Sequence, residues 1–70
     1  MMNHDELENR YTYHAPTEWQ IERYERIRYK AKMLAAYINE QCPESTDKFL
    51  ALTKVDEAVM WANASIARNE

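Results

Sequence analysis

Residues 16–46, PTEWQIERYERIRYKAKMLAAYINEQCPEST, hold the start, body and end of one long helix and the turn into a second, and they decide the fold. Pro16 biases Ala15 towards an extended conformation, and Thr17 with Gln20 has the spacing of a reciprocal helix cap. From Glu18 the apolar positions Ile21, Tyr24, Ile27, Ala31, Leu34 and Ile38 recur three or four apart and trace one stripe, which Pro43 must end. A helix over about 18–42 is a rod of about 37 Å at 1.5 Å per residue. The segment CPEST forms the turn, where Ser45 or Thr46 can cap the next helix. Leu52, Val55, Val59, Ala62 and Ile66 then alternate three and four apart, predicting a helix over about 46–68. Two such rods joined by a short turn lie antiparallel as a hairpin.

Before Pro16, Asn3 or Asp5 can cap a short helix over about 3–10. Its only strong apolar residue is Leu7, so it is ordered only by docking on something else. The fold class is therefore all-α, a short amino-terminal helix followed by a long antiparallel hairpin, in one domain over 1–70. Seventy residues form a marginal core alone, and Phe49, Leu50, Met60 and Trp61 fall off the apolar line of the last helix. Something outside the hairpin covers them. For identical chains the closed solution is a twofold dimer able to assemble further; the alternative is that the first helix folds back over one side.

The chain has 9 basic and 12 acidic residues, a formal charge of -3, which argues against a duplex nucleic-acid binder held by phosphate attraction. Cys42 is the single cysteine and forms no internal disulfide, and MMNHDELENR is too polar for a signal peptide, so a reducing cytosol fits best. No run is long and apolar enough to span a membrane. His4, His14 and Cys42 stand at no recognised ligand spacing, which argues against a metal site, and Cys42 has no base beside it and reads as a half-buried thiol at a helix end. The chain contains no glycine, so it has no glycine-rich phosphate cradle. Any phosphate must be held by side chains.

Side chains able to do that cluster in ERYERIRYKAK, residues 22–32, where Arg23, Arg26, Arg28, Lys30 and Lys32 face only Glu22 and Glu25. Most of them read as a solvated helix face with pairs such as Glu22 with Arg26. Arg28 differs, because it borders the apolar stripe, where its charged head needs a carboxylate, a carbonyl or a ligand phosphate. Tyr24, Tyr29 and Tyr37 read as packing residues, Trp61 as core or interface, and Asn63 as a residue that fixes helix register. No helical stripe claims Tyr11 and Tyr13. Aromatic rings in a loop beside a basic helix suit stacking on a nucleobase while guanidinium groups meet its phosphates.

The run NRYTYHAPT (9–17), the basic amphipathic helix, CPES (42–45) and LALTKVDEAVMWANASIAR (50–68) together resemble the small phage anti-CBASS cyclic-nucleotide sponges, whose hairpin domain also occurs in a sponge directed against Thoeris defence. The resemblance implies a bacteriophage protein without enzymatic activity or cofactor, acting in the cytoplasm of the infected bacterial host. Such a protein sequesters cyclic dinucleotides of the cGAMP kind and keeps the immune effector silent. Protomers pair, and the pairs assemble into a hexamer, a trimer of dimers. Tyr13 then occupies the position that stacks on a base, and Arg28, fifteen residues on, the position that contacts phosphate. Family members carry lysine there; arginine keeps the charge and can bind a phosphate through two bonds. Some members also bind cyclic trinucleotides where three protomers meet, near ANASIAR, with Arg68 the charged candidate and Ala64 standing where some relatives have arginine. Tyr11 packs the loop, and His14 is a loop-packing residue or a base or phosphate contact. Two other classes compete: an interaction module that binds a host protein through Trp61, Met60 and Phe49, and a cyclic-nucleotide phosphodiesterase, disfavoured by the missing metal ligands.

Overall fold

A computed structural model of the protein describes residues 2–70, with three helices and, among these residues, no strand: α1 (His4–Tyr11), α2 (Glu18–Gln41) and α3 (Thr46–Asn69). Each helix start is fixed by one capping residue. Asn3, rather than Asp5, caps α1, its Oδ1 accepting from the Glu6 amide at 2.8 Å. At α2 the reciprocal cap is complete: the Gln20 amide donates to Thr17 Oγ1 at 3.1 Å, and the Thr17 amide donates to Gln20 Oε1 at 3.0 Å. Ser45, rather than Thr46, caps α3, taking the Lys48 amide at 3.1 Å. Such caps satisfy amide donors that no helical carbonyl can reach. With Pro43 unable to continue the helix, α2 closes on a final bond from the Cys42 amide to the Ile38 carbonyl at 3.0 Å. Among the described residues no φ angle is positive, so neither the turn nor the α1–α2 loop uses a left-handed residue.

α2 packs on α3 as the expected hairpin. The seam is made by Tyr24, Ile27, Ala31 and Ile38 of α2 against Leu52, Val55, Val59, Ala62 and Ile66 of α3, all of them half-buried. No apolar side chain is fully buried among the described residues. Ile21 and Leu34, though part of the same stripe, stay exposed at its flank. The molecule measures 46 × 32 × 13 Å, so its thinnest dimension is that of a single helix with side chains, and neither face of the hairpin is covered. Its radius of gyration is 15.5 Å, where a compact 70-residue domain has about 11 Å. Its accessible surface is 6034 Å², where a compact monomer of 8.4 kDa exposes about 4,600 Å².

Two aromatic expectations change as a result. Tyr29 and Tyr37 do not pack within the chain, and of the two readings of Trp61 the core one is excluded: all three are exposed, because a single layer of helices has only one seam to offer. Nor does α1 fold back over the hairpin. It meets the last turn of α3 through Asn9 and leaves Phe49, Leu50, Met60 and Trp61 in solvent. Lys48 is the one buried residue among those described, 8% exposed, with its ammonium on Glu44 at 2.5 Å. A lysine stem covering apolar surface while its head finds a carboxylate is how so long a side chain is buried at modest cost.

Candidate functional site

Two regions carry the side chains that the sequence singles out. The first is the end of the hairpin where α1, the loop 12–17 and the last turn of α3 meet. Thr12 closes α1, its hydroxyl donating to the Glu8 carbonyl at 2.6 Å. Beyond it the chain is extended, and the rings of Tyr11 and Tyr13 project into solvent at 85% and 84% exposure, so Tyr11 ends α1 without packing the loop as expected. The loop itself is tied down. His14 Nε2 lies 3.1 Å from Asn9 Oδ1, and Asn9 Nδ2 donates to the Arg68 carbonyl at 3.0 Å, which orients the amide with its oxygen towards the imidazole. Further on, Gln20 Nε2 reaches Glu70 Oε1 at 3.4 Å, and Arg23 forms an ion pair with the same carboxylate. The Arg23 hydrogen bond, helped by Gln20, holds Glu70 below the ordinary glutamate range against the opposing effect of desolvation, and the bond to Glu70 raises Arg23 in turn.

Arg23 and Arg26 also sit over the indole of Trp19, 5.3 and 5.8 Å from its centroid, while Arg26 pairs with Glu22 at 2.7 Å as expected. Two of the five cations in the basic stretch are thus engaged in ion pairs. Arg28, Lys30 and Lys32 have no carboxylate within ion-pair distance among the described residues.

Those three rim the second region, a pair of grooves along the seam that share Ala31, Val55 and Val59. One, of about 470 Å³, is apolar and edged by Lys30 and Lys54. The other, of about 370 Å³, has Arg28, Lys32 and Asp56 along its sides. Arg28 therefore lies where its spacing from Ile27 puts it, on the edge of the apolar stripe with a free guanidinium.

The structure brings Tyr11, Tyr13, His14 and Arg68 to one end of the hairpin but not Arg28 with them. His14 is anchored through Asn9 to residue 68, and the Arg28 groove is lined by Asp56, twelve helical residues or about 18 Å back along α3. Tyr13 and Arg28 thus belong to separate regions of the hairpin. Elsewhere, Cys42 is a half-buried thiol at the end of α2, and Asn63 Oδ1 is buried with no hydrogen-bond partner among the described residues, so it fixes no register through that atom. No group of three or more His, Cys, Asp or Glu side chains among the described residues could hold a metal ion, and no helix is long and apolar enough to cross a membrane.

Three residues at the site carry no sequence signal of the kind that marks Tyr13. Asn9 and Arg68 are 59 positions apart, and no periodicity links them. Gln20 is legible as a cap, but not as a bridge to Glu70. Trp19 is legible after the fact, since Trp19, Arg23 and Arg26 at i, i+4 and i+7 share one helix face.

A single-layer helical hairpin with solvent-facing tyrosines at one end, and with cations along its seam that have no carboxylate partner among the described residues, defines a small all-α domain. The chain belongs to the Acb2/Tad1 hairpin-domain family, whose model matches residues 2–67. This is the family of phage anti-CBASS and anti-Thoeris sponge proteins. Neither the curated proteins nor the solved structures give a match.

Proposed function

We propose that the whole chain, 1–70, acts as one hairpin domain that binds and sequesters cyclic oligonucleotide messengers without cleaving them, blocking CBASS effector activation in the cytoplasm of the infected bacterium. Cyclic dinucleotides of the cGAMP kind are the principal ligands, with cyclic trinucleotides at a second site. The observation that carries this reading is a tyrosine, Tyr13, 84% exposed on a loop tied to α1 through the His14 side chain. Such a ring presents a flat face on which a nucleobase can stack. Family membership supplies the ligand class.

The distance between Tyr13 and Arg28 within one chain supports a twofold arrangement, in which an antiparallel partner closes the gap and every contacting group appears twice. Tyr13 from each chain then stacks on one base, and Arg28 from each chain meets one phosphate, with His14 shaping the loop and the solvent-facing Tyr11 beside them. A cyclic dinucleotide, itself close to twofold, matches that pairing. The excess surface of roughly 1,400 Å² per chain is more than the ~800 Å² that one partner contributes to a standard interface, which fits a chain using two interfaces, as a trimer of dimers does. Where three chains meet, Arg68 offers the charge for a cyclic trinucleotide, while Ala64 withholds one. A pocket preformed by assembly lowers the ordering cost on the protein side, so nanomolar binding, about -12 kcal/mol, is reachable with a small ligand.

A second reading draws on the exposure of Phe49, Met60 and Trp61: an interaction module for a host protein. A thermal shift against cyclic dinucleotides, cyclic trinucleotides and their linear counterparts separates the two, since ligand at 100 times its dissociation constant adds about 2.7 kcal/mol. Stabilisation by particular cyclic species, with intact nucleotide recovered after denaturation, supports the sponge. Cleaved nucleotide in that extract makes the protein a phosphodiesterase, and no shift with any cyclic species favours the interaction module.

A further inference from the structure

The loop that carries Tyr13 has no secondary structure, yet it is fastened near both ends by amides doing the same job. Asn9 Oδ1 faces the His14 imidazole nitrogen at 3.1 Å while its Nδ2 donates to the Arg68 carbonyl at 3.0 Å. Gln20 Oε1 accepts from the Thr17 amide at 3.0 Å while its Nε2 donates to Glu70 Oε1 at 3.4 Å. Each side chain turns its oxygen to the loop and gives a hydrogen to the carboxy-terminal end of α3, at Arg68 or at Glu70 just beyond it. Only a group with an acceptor and a donor on one carbon can do this, because a carboxylate would keep the first bond and set like partial charges against the second.

We infer that Asn9 and Gln20 are positioning residues for Tyr13: they fix the loop on the end of α3 so that the ring is presented ready to stack, although neither touches the ligand. The inference rests on the reading of Tyr13 as the base-stacking residue. An untethered loop would have to be ordered by the ligand itself, and each backbone residue left free takes a factor of roughly ten from affinity. The arrangement also makes Glu70 and its ion pair with Arg23 part of the ligand site at one remove.

The discriminating variant is Gln20→Glu. Glutamate serves as well as glutamine in a reciprocal helix cap, so the start of α2 is kept, but the bridge to Glu70 becomes a repulsion. With a cyclic GMP–AMP dinucleotide as probe, affinity falls roughly tenfold in Gln20→Glu and in Asn9→Ala, with oligomeric state unchanged. It returns in the double variant Gln20→Glu/Glu70→Gln, which restores one donor and one acceptor across the bridge. In a Tyr13→Ala background Gln20→Glu costs nothing further, as expected for a residue acting only through Tyr13. Wild-type affinity in both single variants, or a full loss persisting without Tyr13, overturns the positioning role and leaves the sponge reading intact. If the wild-type protein binds no cyclic nucleotide, the sponge reading fails by itself. Positioning is then judged on the free protein: amide order parameters of residues 13–15 that drop in Asn9→Ala support the tether, and unchanged values refute it.

Discussion

Trp61 offers the sharpest test of whether the open faces of the hairpin are covered by further copies of the chain. Its side chain is 66% exposed. A tryptophan presents some 150–250 Å² to burial, so about 130 Å² remains for a partner to cover, worth about 3 kcal/mol per chain at ~25 cal/mol per Å². A twofold pair carries the residue twice. Trp61→Ala, which keeps helix propensity, should therefore weaken pairing by about 6 kcal/mol, roughly four decades in dissociation constant. In an isolated chain the same substitution removes only the third already buried, about 1–2 kcal/mol, and that loss does not depend on protein concentration. Sedimentation equilibrium over a wide concentration range, with melting temperatures recorded at each concentration, separates the cases. Wild-type protein that sediments at 8.4 kDa throughout, with a melting temperature indifferent to dilution, would refute the reasoning, as would Trp61→Ala assembling like wild type.

Thr17→Ala removes one half of the reciprocal cap on α2 and should cost about 1 kcal/mol, lowering the melting temperature by about 4–8 °C in calorimetry; no change would mean that the cap bonds seen here add nothing. Arg28→Ala should weaken dinucleotide binding by about 1.5–3 kcal/mol in isothermal titration and flatten its dependence on salt, with assembly unaffected. An unaltered salt slope would take Arg28 out of the site. Glu70 is held below the ordinary glutamate range by Arg23, so its contribution to stability is complete above that range and is lost as pH falls through the lowered value. Melting temperature followed from about pH 6 to about pH 3 should fall more steeply for wild type than for Glu70→Gln, and parallel curves would discount the ion pair.

The helices are readable in the sequence because their determinants are local. Thr17 and Gln20, Ser45, and Pro43 act within four residues of where they stand, and the stripe from Tyr24 to Ile38 needs only the period of a helix. Periodicity says which face is apolar but not what covers it, which is why Tyr29 and Tyr37 read as packed and are found exposed. The candidate site divides the same way. Tyr13 stands out because no stripe accounts for it, and Arg28 because it sits beside one. That the loop of Tyr13 lies at the end of α3 follows from Asn9 reaching the Arg68 carbonyl across 59 positions, a contact that only the closed hairpin creates.

A backbone with no positive φ has a consequence for how this protein can vary. In most domains a few positions accept glycine alone, because a left-handed turn or a close approach excludes a β-carbon. This chain, which has no glycine, imposes no such veto among its described residues. In a saturation-mutagenesis map its intolerant positions should be defined by what side chains touch, with proline inside α2 and α3 the one replacement refused for backbone reasons. Binding surfaces on such a frame can be redrawn residue by residue without renegotiating the path of the chain.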